Sequence, residues 1–266
     1  MRHTTLFELL KHGVHFGHQT AKWHPRMRPF IFTSRNGIHI LNLESTLAQI
    51  EKAQGFLHDT AAAGGTILFV GTKRQAKEIV AAAAASAGAL SITERWLGGL
   101  FTNFATVSRV VERLRKLTED RQAGRLEKYT KKERLKFDEE IAKLEKLVGG
   151  IRTMTKLPDA IIIIDIKTEK TALREALATK IPVVAMVDTN TDPKGIAYPI
   201  PANDDATKSI QLITELLADA VREGRAVAFE RQQQAATQAS APEGIAPTAI
   251  PESPPAVTAT QRESKV

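Results

Sequence analysis

The hydrophobic positions of this chain follow two different spacings, and their order along the sequence predicts the architecture. Short, continuous apolar runs are typical of strands buried on both faces. Four such runs occur, at residues 66–70, 90–93, 160–164 and 182–187. Helical spacing appears between and after these runs, so strands alternate with helices. This alternation predicts an α/β body in which a parallel sheet is covered by helices on both sides.

Two shorter apolar segments near the N-terminus predict a β-hairpin. Residues 30–32 and 38–41 flank a polar stretch that ends in Asn36-Gly37, and Asn-Gly suits a turn that needs positive φ angles. Asn42 follows directly and is a candidate N-cap for a helix. We therefore expect a hairpin that leads into the first long helix.

The stretch 105–150 interrupts the alternation. Apolar residues recur there at every third or fourth position, from 107 to 117 and again from 137 to 148, which predicts two amphipathic helices. Thr130 and Glu133 have the spacing of a capping box at the start of the second helix. An antiparallel helical hairpin is therefore expected to project from the body as an arm.

The end of the chain differs from the rest in composition. From residue 231 onward there is no aromatic residue, while 5 of the 12 prolines lie there. Such a segment cannot bury enough apolar surface to offset the entropy lost on ordering, so we predict that it is disordered. The expected units are a basic N-terminal segment with the hairpin (1–40), a body (41–104 and 151–230), the arm (105–150) and a tail (231–266).

Positive charge is concentrated in two of these units. The chain has a net charge of +7, and residues 1–40 hold 6 basic residues against 1 acidic residue. Residues 105–150 hold 13 basic and 9 acidic residues. This distribution indicates two separate contact surfaces for a polyanion, and a phosphate backbone is the obvious candidate.

The sequence offers little support for enzymatic chemistry. The chain has no cysteine, which excludes disulfides, Cys-based zinc sites and thiol catalysis and fits a reducing cytoplasm. Neither a Gly-x-Gly-x-x-Gly motif nor a Walker loop is present. The alternative is a phosphate-metabolising α/β enzyme that uses Thr72, Lys73, Asp165 and Asp188, although strand-end aspartates more often cap the next helix. No cofactor is expected.

Six of the seven histidines lie within residues 1–40, so a metal site has to be considered. His15 and His18 are the candidate zinc ligands. Gly17 lies between them and disfavours the helical geometry that would bring them together. Zinc is the minor interpretation, and packed or RNA-facing imidazoles are the favoured one.

Cations alternate with aromatic residues between Lys22 and Phe30, and two prolines stiffen this path. Lys and Arg attract phosphates, while aromatic rings and guanidinium planes stack on unpaired bases. The segment therefore favours RNA binding. Trp23 and Phe16 are candidates either for stacking on bases or for bracing the surface.

Several longer motifs resemble those of the bacterial ribosomal protein S-two family. They are Gly13-Val14-His15-Phe16-Gly17-His18-Gln19-Thr20, Trp23-x-Pro25-x-Met27-x-Pro29-Phe30-Ile31-Phe32, Leu68-Phe69-Val70-Gly71-Thr72-Lys73, Arg95-Trp96-Leu97-Gly98-Gly99 and Val187-Asp188-Thr189-Asn190-x-Asp192-Pro193. The resemblance covers roughly residues 5–226 in unbroken order. It implies a flavodoxin-like three-layer body with a coiled-coil arm, and a structural role without enzymatic activity.

The same resemblance implies partners and a location. It predicts a protein of the small ribosomal subunit in the cytoplasm, bound to small-subunit rRNA and close to the large mRNA-binding protein S-one. No membrane partner is expected. Within this interpretation, the residues expected at the RNA interface are Lys22, Trp23, Arg26, Arg28, Lys73, Arg74, Arg95, Lys131, Lys132 and Arg134.

Overall fold

Strands and helices alternate along most of the computed structural model, which describes residues 2–239. The strands are β1 (Phe16–Gln19), β2 (Ile31–Arg35), β3 (Ile38–Leu41), β4 (Ile67–Val70), β5 (Leu90–Ile92), β6 (Ala160–Ile163), β7 (Val183–Val187) and β8 (Tyr198–Pro201). The helices are α1 (Leu6–Lys11), α2 (Leu43–Ala62), α3 (Lys77–Ser86), α4 (Phe104–Gln122), α5 (Lys131–Val148), α6 (Lys170–Ala178) and α7 (Thr207–Ala239). None of the helices within the described residues is long and apolar enough to span a membrane.

The central sheet has five parallel strands in the order β5-β4-β6-β7-β8. Numbered by their own sequence, these strands have the order 2-1-3-4-5, which is that of flavodoxin-like folds. The predicted parallel sheet and the flavodoxin-like body are therefore confirmed.

The two faces of this sheet have separate hydrophobic cores. Successive residues of a strand point to opposite faces, and in β4 Ile67 and Phe69 join one core while Leu68 and Val70 join the other. Helices α2, α3 and α7 cover the first face, and α6 with the bases of α4 and α5 covers the second. The body is thus a three-layer structure.

A second, smaller sheet lies in the N-terminal segment. The predicted hairpin of β2 and β3 is present, with positive φ angles at Asn36 (51°) and Gly37 (74°), as its turn requires. Strand β1 pairs with the other edge of β3. The sequence did not predict β1, because four residues that include Gly17 and His18 lack a strand-like apolar pattern.

Two further elements differ from the sequence prediction. Strand β8 contains Pro199 and Pro201, which argue against a strand, but it lies at the edge of the sheet, where proline is tolerated. Helix α7 continues to Ala239, so residues 231–239 of the predicted disordered tail are helical. The Gln- and Ala-containing sequence there consists of good helix formers. The rest of the predicted tail, 240–266, lies outside the described residues.

Helices α4 and α5 form the predicted helical hairpin. Thr130 donates its backbone N–H (3.0 Å) and its hydroxyl (2.9 Å) to the Glu133 carboxylate, so the predicted capping box is present. Arg113 of α4 makes a two-pronged contact with Glu140 of α5, at 3.0 and 3.2 Å. These contacts hold the two helices side by side, and the heptad packing of a coiled coil stays a prediction.

Candidate nucleic-acid interface

The N-terminal segment is attached to the carboxyl edge of the central sheet. The backbone N–H of His24 donates to the carbonyl of Thr189, just beyond β7, at 2.7 Å. The His18 N–H donates to the Thr189 hydroxyl at 2.8 Å. A Cβ on Gly17 would lie only 2.5 Å from the Thr189 methyl carbon, so this close approach requires glycine.

Arg74 and Arg95 lie in the loops that follow β4 and β5, at the same carboxyl edge of the sheet to which the N-terminal segment with Lys22 and Arg28 is attached. Lys22, Arg28, Arg74 and Arg95 are exposed, and none has an ion pair with any residue of the described part of the chain. Arg26 is also exposed, but its guanidinium pairs with the Asp192 carboxylate. One edge of the body thus has several cations without counter-charges.

The two aromatic candidates of this region are partly packed. Trp23 is half-buried, and its ring lies 5.2 Å from that of His39. Phe16 is 49% exposed and packs on His15 at 4.0 Å. Both rings therefore brace the surface and still have an exposed part.

The arm contributes a second group of unpaired cations. Lys131, Lys132 and Arg134 are exposed at the start of α5, around a groove of about 690 Å³ that also includes Leu135 and Asp138. Ion pairs between the helices use other arginines, such as Arg121 with Asp138 at 3.3 Å. The start of α5 is about 28 Å from the base of the arm, because the 19 residues of α4 each rise about 1.5 Å.

Lys73, also predicted at the interface, has a different environment. Its ammonium group contacts the carboxylates of Asp205 at 2.7 Å, Asp204 at 3.0 Å and Asp165 at 3.3 Å, and its side chain is only 15% exposed. Three carboxylates already neutralise it, so the expectation of a phosphate contact does not fit its geometry. A lysine on a βα turn looks available from sequence because its partners lie about 90 and 130 residues away.

The acidic cluster around Lys73 shifts several pKa values. Burial, together with the charges of Asp165 and Asp188, raises the pKa of Asp204 to about 7 despite the nearby ammonium. Burial opposes the charge on Lys73, but the hydrogen bond from its ammonium to Asp205 and the charge of Asp204 raise its pKa. The charges of Lys73 and the surrounding aspartates therefore compensate one another within the body.

Other groups of the body already bind the residues of the enzymatic alternative. Asp165 accepts hydrogen bonds from the N–H groups of Lys167 and Thr168, so it caps the turn before α6 and not the helix itself, whose N-cap is Glu169. Asp188 does not cap a helix and instead accepts from the Thr189 N–H and hydroxyl. The Thr72 N–H donates to Glu169 at 2.9 Å, across the point where ligands bind in open α/β sheets.

The predicted histidine pair does not come together as a metal site. His15 packs on Phe16, and burial lowers the pKa of its ring. His18 instead faces Asp188 at 3.1 Å, and this hydrogen bond raises its pKa. In the described part of the chain, the ligand atoms of His18, Asp188 and Asp204 lie within 4.8 Å of one another and are of the types that bind divalent cations.

Glu175 organises the start of the arm, a role that was not predicted from its local sequence. Its carboxylate accepts from the backbone N–H of Gly99 at 2.7 Å and of Phe101 at 3.0 Å, and from the Trp96 indole at 3.1 Å. Burial opposes ionisation, but these donors lower its pKa. The turn that leads into α4 is therefore built around one buried carboxylate on α6, a long-range contact without a local sequence signal.

The N-terminal segment also has an exposed apolar face. Phe7 and Phe32 are both 74% exposed and Leu10 is 50% exposed. They line a cleft of about 520 Å³ between α1 and the small sheet. Exposed apolar surface of this kind marks protein contacts. The sequence signal that could have predicted this face is the density of apolar residues in the six-residue helix α1. Only Leu9 of that helix is buried.

Comparisons with known proteins agree with this geometry. The family model described as "Ribosomal protein S2" matches residues 9–224. The chain is 52% identical over 217 residues to a protein of Roseiflexus named "Small ribosomal subunit protein uS2", covering 82% of this chain and 83% of that protein. It is also 52% identical over 221 residues to the protein of the same name from Acidothermus cellulolyticus, covering 83% and 80% of the two chains.

Proposed function

The chain belongs to the ribosomal protein S2 family, and on that premise we propose that it docks on small-subunit rRNA through two groups of exposed cations. It is a structural, non-enzymatic component of the small ribosomal subunit and associates with the rRNA and proteins of that particle. The proposed interface consists of Lys22, Trp23, Arg26, Arg28, Arg74, Arg95, Lys131, Lys132 and Arg134.

One observation carries this assignment: within the described residues, every cation of both groups except Arg26 lacks a counter-charge. Phosphates neutralise such cations and release counterions, which is the main source of affinity for a nucleic-acid backbone. Lys73 is excluded because the body already supplies its carboxylates. We further propose three units: the N-terminal segment (1–40) and the body (41–104 and 151–230), which together carry the first group, and the arm (105–150), which carries the second.

Sedimentation of ribosomal particles tests the docking proposal. A full chain carrying Arg28→Glu, Arg74→Glu and Arg95→Glu should move from the small-subunit fraction to the top of the gradient as salt increases, at salt concentrations where the wild type stays bound. A thermal-shift panel of nucleotides should leave the melting temperature of the wild type unchanged. The proposal would be contradicted if the variant sedimented like the wild type at every salt concentration. A nucleotide that raised the melting temperature of the wild type would also contradict it.

The apolar cleft supports a protein contact, and we propose S-one as the neighbour that uses it. Phe7 and Phe32 are the large exposed side chains of the cleft. Small subunits that contain Phe7→Ser, Phe32→Ser protein should lose S-one while retaining this chain. Phe229→Ser, at a 62% exposed phenylalanine outside the cleft, is the matched control. Retention of S-one by the double variant would refute this contact.

A further inference from the structure

A small polar cavity lies at the amino edge of the central sheet, opposite the N-terminal segment. Its volume is about 160 Å³, and Thr66 before β4, Gly88 before β5 and Arg225 of α7 line it. The rest of the wall consists of Leu90, Thr153, Met154, Thr155 and Lys156. None of these residues belongs to the interface proposed above.

Arg225 brings an uncompensated charge to this cavity. Its guanidinium is half-buried and donates to the carbonyl of Gly88. Within residues 2–239 no carboxylate forms an ion pair with it, whereas Arg222, one turn earlier on the same helix, pairs with Asp219 at 2.6 Å. Burial lowers the pKa of Arg225. A partly desolvated cation without a counter-charge favours an anionic ligand.

The other donors of the cavity suit an oxyanion. Lys156 contacts the Asp159 carboxylate at 3.2 Å, and that carboxylate also accepts from the Thr66 N–H at 2.7 Å. The hydroxyls of Thr66, Thr153 and Thr155 have no hydrogen-bond partner among the described residues. The Arg225 guanidinium and the three hydroxyls can together surround a tetrahedral group of oxygen acceptors, whereas the Lys156 ammonium is already shared with Asp159.

We propose that this cavity binds one phosphate group of an RNA backbone. The space equals that of roughly five water molecules at about 30 Å³ each, which is enough for a phosphate. Residues 153–156 connect the arm to β6, so an RNA strand that follows the base of the arm reaches the cavity. The choice of RNA as the source rests on the proposed function, whereas binding of the phosphate group rests on the cavity alone.

The first experiment tests the phosphate site on the isolated full chain. Sodium phosphate at ten times its dissociation constant should raise the melting temperature by roughly 3 to 6 °C above sodium chloride of equal ionic strength. Arg225→Ala should abolish this difference. Because Arg225 also contacts Gly88, a second variant, Thr153→Val with Thr155→Val, removes hydroxyl donors without disturbing that contact and should halve the shift or more. Arg222→Ala is the matched control and should keep it.

The second experiment identifies the source of the bound phosphate group, RNA or free phosphate. It measures the affinity of the chain for small-subunit rRNA at several salt concentrations. Arg225→Ala should weaken binding about 5- to 30-fold and flatten the slope of log affinity by about 0.7 to 0.9. Phosphate binding without an effect on rRNA would refute the RNA assignment and leave a free-phosphate site. If Arg225→Ala keeps both the stabilisation by phosphate and the wild-type affinity for rRNA, the site itself is refuted. In that case the proposed function still stands if Arg28→Glu weakens rRNA binding.

Discussion

Lys73 and the lysines at the start of α5 occupy opposite situations in the same molecule. The ammonium of Lys73 lies within 3.3 Å of three carboxylates and is nearly buried. Lys131 and Lys132 are exposed and have no ion pair within the described part of the chain. All three residues carry the same charge in sequences that are rich in basic residues. Equal formal charge therefore has opposite surroundings in the two places: the fold neutralises Lys73 and leaves Lys131 and Lys132 open to an anionic partner.

This contrast also separates the energetic roles of the two regions. A buried cation that neutralises buried carboxylates is needed for folding, since its removal leaves uncompensated charge. Exposed cations contribute little to stability and are free to contribute to binding. The two regions should therefore respond oppositely to mutation, one in stability and the other in RNA affinity.

The largest effect is expected from Lys73→Met. This change leaves Asp165, Asp204 and Asp205 without their shared cation, so the free energy of unfolding should fall by about 3 to 5 kcal/mol. Urea denaturation followed by circular dichroism measures it. Lys77→Met, which removes a surface pair with Glu94, should cost about 1 kcal/mol or less. If the Lys73→Met protein were as stable as the wild type but bound rRNA more weakly, Lys73 would be an RNA-binding residue and not a stabilising one.

A smaller effect is expected at the junction of body and arm. Glu175→Gln replaces one acceptor oxygen by an amide nitrogen, which faces either the Gly99 N–H and the Trp96 indole or the Phe101 N–H. The free energy of unfolding should fall by about 2 to 3 kcal/mol, the cost of unsatisfied buried donors. Glu139→Gln, exposed on the arm, is the control and should stay within about 0.5 kcal/mol. Equal stability of the two variants would show that the Glu175 carboxylate does not stabilise the turn that leads into α4.

The acidic cluster also predicts a pH dependence. Folding raises the pKa of Asp204 to about 7, so the folded state binds more protons than the unfolded state between about pH 4 and 7. Stability should therefore decrease as pH rises toward 7. The raised pKa of His18 acts in the same direction above pH 6.5.

Unfolding in urea at pH 5.5 and 7.5 measures this effect. The wild type should be less stable at pH 7.5 by about 2 kcal/mol, since the folded state holds nearly one extra proton over roughly 1.5 pH units and each unit corresponds to about 1.4 kcal/mol. Asp204→Asn should remove most of the difference. If this variant keeps the wild-type difference, Asp204 is not the group that titrates.

Local patterns in the sequence predicted most of the fold, and long-range contacts explain what they missed. The apolar runs predicted four of the five sheet strands, and Thr130 with Glu133 predicted the start of α5. Strand β8 was missed because its prolines are acceptable only at a sheet edge. In the candidate site, Lys73 was misplaced and Glu175 overlooked because their partners are distant in sequence. A pattern of charges cannot show which cations the fold itself neutralises.

The salt dependence of rRNA binding by an arm variant shows whether the unpaired cations of the arm dock on RNA. With Lys131, Lys132 and Arg134 all changed to Glu, the slope of log affinity against log salt should flatten by about 0.7 to 0.9 per lost contact, while unfolding stays nearly unchanged. The control reverses three exposed cations of α2 and α7, Lys52, Lys208 and Arg222, and so has the same net charge. Its slope should stay close to that of the wild type. Equal slopes for the arm variant and the wild type would show that the unpaired cations of the arm do not dock on RNA.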